Sequence, residues 1–193
     1  MVRILTNPRQ NRKQTLDVVL ELTNVGRLLS QQPNLGRLLE TILTTSQKLL
    51  NADGATLYRL RNDQFLTFSL LRNTSLAVFM GGEGQEPIAL PDIALTLDGQ
   101  ANHKSVVSHA ALTKKTANIE DAYHASDFDF SQTKLFDKKT GFRTQSVLAI
   151  PILNHQEQVI AVMQFINTMA DGVIQSFSPA QQNIAEALAS QAG

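Results

Sequence analysis

The sequence predicts an α+β fold. It has a central antiparallel sheet of about six strands, with the N- and C-terminal helices packed on one face and pocket-framing helices and loops on the other. Three observations carry that expectation. Apolar residues recur at helical spacing near both ends of the chain. Two pairs of short β-rich runs, each joined by a polar turn, occupy the middle. A capping box, Ser178-Pro179-Ala180-Gln181, opens the last helix. Strands grouped between helical ends favour α+β over an alternating parallel arrangement.

Taken in order, residues 1–13 carry no periodicity and read as a disordered tail. Residues 14–34 form an N-terminal helical extension. Within it Val18, Leu22, Val25 and Leu29 make a seam able to meet another helix. Gln31-Gln32-Pro33-Asn34 breaks it, and a second helix carries Leu35, Leu38, Leu39, Ile42, Leu43, Leu49 and Leu50. Asn51-Ala52-Asp53-Gly54 is expected to stop that helix, with glycine beyond its end. Ala55–Leu60 and Phe65–Leu71 then form a hairpin across Arg61-Asn62-Asp63-Gln64. Residues 80–104, rich in glycine and proline, read as a long irregular excursion with one edge strand near Ile88–Leu90.

Ser105–Leu112 is a short helix, Thr116–Ile119 a short strand, and residues 120–143 a polar, aromatic, irregular stretch. Ser146–Leu153 and Gln158–Asn167 make the second hairpin, with nearly continuous apolar runs that suit central strands covered on both faces. Serine as N-cap, proline at the first helical position and glutamine three after the cap begin the closing helix. The helical pattern still runs at Gly193, which suggests a helix truncated from a longer chain.

Composition removes several function classes. The 193 residues amount to one domain with an extension, at about 150 residues per domain. Seventeen basic and seventeen acidic residues cancel to zero net charge, so neither nucleic acid nor a membrane surface is an expected partner. Apolar residues at 42 % suffice for an ordinary core, and no run reaches the roughly 20 apolar residues of a membrane span. A cytoplasmic location is the expectation. Cysteine is absent, which removes disulfides, thiolate nucleophiles and thioether cofactor attachment. The four histidines show neither helical i, i+4 spacing nor adjacent carboxylates, so no metal ligands are assigned.

Four segments, in order, carry a family resemblance. They are Asn51–Tyr58, Asn118–Tyr123, Thr140–Ile152 and Val159–Asn167. Together they resemble the GAF domain, a small-molecule sensor module of signalling proteins, over roughly Leu35 to Gln191, which makes residues 35–193 the domain proper. The segments Gly81–Ile88 and Asp98–His103 resemble a narrower group, the bacterial GAF domains that precede an HD-GYP phosphodiesterase or a nucleotide cyclase. The resemblance implies a GAF/PAS-like fold and a ligand held under a lid at residues 120–144. In cyclic-nucleotide-binding members an Asp-x-x-Thr-Gly-Phe-Arg-Thr motif supplies ligand contacts, and here Asp137, Thr140 and Thr144 stand in that register. The phosphate-holding backbone pair falls on Val106 and Val107, and Gln164 replaces a purine-reading acid.

Each of these positions also has a plain reading. Asp137, Thr140 and Gly141 suit a turn leading into a strand, Gln164 an ordinary strand position, and Val106 and Val107 the core. Asp121 and Phe142 are assigned by resemblance to the lid and its support. Asn167 and Phe177 match a family signature whose next members depart: Thr168 stands for a lysine and Gln181-Gln182 for an acidic pair. The salt bridge that latches this region in the family is therefore impossible here.

The expected function is a regulatory sensor domain with no catalytic residues, binding a cyclic nucleotide or another small metabolite. It would form a homodimer through terminal helices and pass its signal to a fused downstream enzyme, a phosphodiesterase or a cyclase. The alternative is a dimerisation and relay module with no ligand. GAF enzymes that reduce free methionine sulfoxide, and bilin-carrying GAF photoreceptors, rely on cysteines that this chain lacks.

Overall fold

A computed structural model describes residues 34–192 of the chain. The predicted tail and helical extension therefore lie outside the described residues, except for Asn34. Asn34 caps the first described helix, α1 (Leu35–Leu49), its Oδ1 accepting from the N–H groups of Gly36 at 2.8 Å and Arg37 at 3.3 Å. Leu39, Ile42 and Leu43 face inward at helical spacing and are fully buried. Asn51 then turns the chain in the left-handed conformation, φ 48°, and its side chain donates to the Met169 carbonyl at 2.6 Å.

The strands follow in chain order: β1 (Ala52–Arg61), β2 (Phe65–Asn73), β3 (Val78–Gly81), β4 (Ile93–Ala94), β5 (Thr96–Leu97) and β6 (Gln100–Ala101). After helix α2 (Val106–Thr113) come β7 (Ala117–Ile119), helix α3 (Ser131–Thr140), β8 (Val147–Leu153), β9 (Val159–Ala170) and β10 (Val173–Gln175). Helix α4 (Pro179–Ala189) closes the fold, with a 3₁₀ turn at Ser190–Ala192. The main sheet has eight strands, its central path running β3-β2-β1-β9-β8-β7, with β4 on β2 and β10 on β9. Every pairing is antiparallel.

The period-2 alternation of strands divides the core in two. Leu57, Leu148, Ile150, Ala161, Met163 and Phe165 pack against α1 and α4. Tyr58, Val147, Ala149 and Val162 face the other way, against α2 and the segment around Ala122–Phe130. This is the predicted arrangement, with both described terminal helices on one face and the lid elements on the other.

Three local expectations are corrected. Ile88–Leu90 is not a strand, since Pro87 and Pro91 flank it. Instead Ile88 is a buried plug beside Gly81, and the strands of this region are β3 to β6. Gly54 does not end the first helix. It lies inside β1, where a Cβ would come within 2.5 Å of the Ile166 side chain. The stretch 120–143 contains helix α3, invisible to an apolar-period search because Asp137 is its one buried residue and Leu135 and Phe136 are half exposed.

Candidate functional site

The lid face of β1, β8 and β9 forms the floor of the candidate site. It is largely apolar, but one polar pair crosses it: the Tyr58 hydroxyl donates to Gln164 Oε1 at 2.8 Å. Register explains the meeting, because β1 pairs Thr56 with Gln164 and Tyr58 with Val162, leaving Tyr58 and Gln164 as diagonal neighbours on one face. The Tyr58 ring also lies 4.7 Å from that of Phe68 on β2. Burial pushes the Tyr58 hydroxyl pKa far above its ordinary value, against a smaller opposite effect of Thr56, so it remains a neutral donor.

Helix α2 forms the ceiling and packs on β8 and β9. Ser105 caps it, accepting from Ser108 N–H at 3.4 Å. Val106 and Val107 are its first two residues, and both side chains are buried against the sheet. The Ser108 hydroxyl beside them is buried without a partner among the described residues. Together with Ala110, Phe130, Val147, Ala149 and Val162, these valines fill the space between helix, lid and floor.

The lid is closed by two linked carboxylates. Asp121 accepts from Tyr123 N–H at 2.8 Å, pairs with Arg143 at 2.7 Å, and lies 3.0 Å from His124 Nδ1. Burial raises the Asp121 pKa, but Arg143, the Tyr123 N–H and His124 outweigh it and hold the carboxyl at about 2. Arg143 also stacks over the Tyr123 ring, 3.5 Å from its centroid. The Tyr123 hydroxyl in turn donates to Asp137 Oδ2 at 3.0 Å. Asp137 is 2 % exposed and accepts twice more, from Thr144 N–H at 2.7 Å and the Thr144 hydroxyl at 3.0 Å. Asp137 and Thr144 thus clasp the end of α3 to the segment leading into β8.

Thr140 and Gly141 end α3. The Thr140 hydroxyl donates to the Phe136 carbonyl at 2.9 Å, and Gly141 takes φ 71°, the left-handed conformation that closes many helices. Phe142 follows, half-buried, its N–H reaching Thr140 Oγ1 at 3.4 Å. Asn167, also left-handed at φ 57°, holds the segment that leads into β8 on either side of Thr144. Its Nδ2 donates to the Arg143 carbonyl and its Oδ1 accepts from Gln145 N–H, each at 2.7 Å. Phe177 lies elsewhere, buried in the helix-side core.

The sequence-selected residues therefore gather in two groups. Asp121, Asp137, Thr140, Phe142 and Thr144 lie in the 120–144 segment, with Asn167 of β9 bonded to it, while Gln164, Val106 and Val107 belong to floor and ceiling. Sequence reasoning missed Tyr58 and Tyr123 as their polar partners. Their role needs the register of β1 on β9 and the fold of the lid, neither of which leaves a local signal.

A second, neutral network joins the two terminal helices to the sheet. Gln181 Nε2 donates to Thr168 Oγ1 at 2.7 Å and to the Leu50 carbonyl at 2.9 Å. The Thr168 hydroxyl donates to the same carbonyl at 2.6 Å. The end of α1, strand β9 and the start of α4 meet there without any charge. Two clefts open away from the lid: one of about 660 Å³ along α4 and β8, and one of about 430 Å³ beside α1 and β3. No helix among the described residues is long and apolar enough to cross a membrane.

The model of the GAF domain family matches residues 34–193. Dual 3′,5′-cyclic-AMP and -GMP phosphodiesterase 11A from Takifugu rubripes is 39 % identical over 69 residues, which cover 36 % of this chain and 7 % of that protein. The GAF domain of an Acinetobacter phosphoenolpyruvate-protein phosphotransferase superposes with a TM-score of 0.59 at 15 % identity, over 97 % of this chain and 92 % of that one. Free methionine-R-sulfoxide reductase from Neisseria meningitidis, in complex with its substrate, gives 0.58 at 12 % identity, over 99 % and 94 %. At such identities the two structures speak for the fold alone.

Proposed function

The chain belongs to the GAF domain family, a regulatory sensor type found in signalling proteins, and on that footing we propose that it senses a small molecule held under the 120–144 lid. The observation that carries this reading is the Tyr58–Gln164 pair, a buried hydroxyl donating to a half-buried amide on the apolar face that α2 covers. Apolar walls with a few convergent polar groups are what small-molecule sites need. Gln164 offers both donor and acceptor atoms to a heterocycle, and the first turn of α2 brings backbone N–H groups toward an anionic group.

A cyclic nucleotide is the ligand to test first. The support is the likeness to the dual-specificity phosphodiesterase and the register of Asp137, Thr140 and Thr144. Ligand binding would open the Asp137–Thr144 clasp, place the ligand below α2 and reset the lid. The terminal helices, which pack on the opposite face of the same strands, would carry that change to a fused HD-GYP phosphodiesterase or cyclase in a cytoplasmic, bacterial homodimer. Methionine sulfoxide reduction through cysteine has no nucleophile in this chain.

One observation favours a second reading, a relay module with no ligand. All three donors on the Asp137 carboxylate come from the protein itself, and side chains occupy the space below α2.

Thermal unfolding against cGMP, cAMP, cyclic di-GMP, GTP and ATP separates the two. A ligand at about 100 times its Kd adds roughly 2.7 kcal/mol. At about 2–4 °C per kcal/mol, the midpoint should rise by about 5–11 °C. The double variant Tyr58→Phe/Gln164→Leu removes donor and acceptor together, which keeps the floor free of unpaired groups. A shift in the wild type that disappears in this variant supports the sensor. No shift with any nucleotide favours the relay, and a shift that survives in the variant overturns this placement of the site.

A further inference from the structure

The sequence separates His103 and His109 by a turn and half a helix, a spacing that matches no metal motif. The fold brings them together. Asn102 pins the turn before α2: its N–H donates to the Leu95 carbonyl and its Nδ2 to the Ala94 carbonyl, both at 2.8 Å. Its Oδ1 accepts from Ser105 N–H at 3.3 Å. His103, on that turn, is exposed, while His109 on α2 is half-buried with its ring edge-on to Phe128 at 5.2 Å. The two Nδ1 atoms face each other at 3.3 Å, with ring centroids 5.2 Å apart and planes at 71°.

We propose that His103 and His109 form a chelating site for Zn²⁺, distinct from the ligand site under the lid. Nitrogen ligands sit about 2.0–2.1 Å from zinc, and tetrahedral angles then set two of them about 3.3–3.4 Å apart. Two rings aimed at one such ion have centroids separated by about 5.2 Å. Both spacings are those of this pair. A direct N–H bond between the rings would draw the nitrogens in toward about 2.9–3.0 Å. Two imidazoles without a carboxylate suit zinc, nickel or copper and discriminate against magnesium and calcium.

Among the described residues no group of three or more His, Cys, Asp or Glu is placed to hold an ion. The two histidines therefore leave the remaining positions of a tetrahedral ion to water or an exogenous ligand. Lys104, between them in sequence, is turned aside: its Nζ donates to the Asp127 carbonyl at 3.3 Å. An ion at the pair fastens the turn before α2 to the helix itself. Through His109 it also bears on Phe128 and, 6.5 Å further, Phe130 of the lid.

Isothermal titration of the tag-free full chain with ZnCl₂ tests the site, alongside His103→Gln and His109→Gln. His103 is exposed, so its variant keeps the fold, and an unchanged thermal midpoint without zinc checks that. One equivalent of zinc should bind the wild type, with affinity falling at least tenfold in either variant. Imidazole ¹⁵N spectra should show zinc-dependent shifts at His103 and His109 and none at His124 or His155. Failure of the wild type to bind, equal affinity in wild type and His103→Gln, or shifts centred on His124 or His155 would overturn the proposal.

Discussion

Asp121 shows how one carboxylate gathers a lid. It ties the backbone of Tyr123, the ring of His124 and the guanidinium of Arg143 into one cluster, and Arg143 then covers the Tyr123 face. Burial alone would make the charge unwelcome, yet these donors hold the carboxyl at about 2, below the roughly 3.9 of a free aspartate. The folded state therefore binds fewer protons than the unfolded chain in that window. The resulting stability is fully present above about pH 4 and disappears as pH falls toward about 2. Asp121→Asn should cost about 1 kcal/mol at pH 7, the scale of a partly exposed ion pair, and far less at pH 2. Urea midpoints measured at both pH values check this, and an equal deficit at both would show that the charge of Asp121 is not what stabilises the lid. Thr168 and Gln181 illustrate the opposite solution, a neutral hydrogen bond of 2.7 Å that ties β9 to α4.

Among the elements, α3 and β1 depart most from what their sequences suggest. Helix α3 has no apolar stripe and no side-chain N-cap, so its local preference is weak. It is held by its ends, with Phe130 buried at the start and Asp137 clasped to Thr144 near the finish. Strand β1 carries Gly54 for a steric reason, because Ile166, directly opposite it on β9, lays its Cγ1 and Cδ1 in the space a side chain would occupy. Gly54→Ala should destabilise the domain by about 1–3 kcal/mol through overpacking. Combining it with Ile166→Ala should cost less than the two single changes together. Chemical denaturation of the three variants measures this, and strict additivity would mean that the two positions do not meet.

For the whole molecule, the eight-stranded sheet separates two packed layers onto two faces. Helices α1 and α4 lie together on one, and α2 with the lid lies on the other. The Leu50–Thr168–Gln181 network joins α1, β9 and α4 at one point. The seam Val18, Leu22, Val25 and Leu29 precedes α1 in the chain and predicts a parallel dimer, although it lies outside the described residues. Sedimentation equilibrium of the full chain should give the dimer mass at high concentration. A monomer under those conditions would remove the dimer from the proposed signalling route.

The sequence by itself determined the fold class, both hairpins, the short helix after Ser105 and the capping box at Ser178. All of these rest on neighbours within a few positions, where period and capping chemistry act. The tertiary structure alone decided that Tyr58 meets Gln164, that Asp137 clasps Thr144 from inside a helix, that Gly54 makes room for Ile166, and that His103 faces His109. Each depends on strand register or on how a loop lands against a helix. Such partners are fixed by the simultaneous burial of distant apolar surfaces, a constraint that no local stretch of sequence carries.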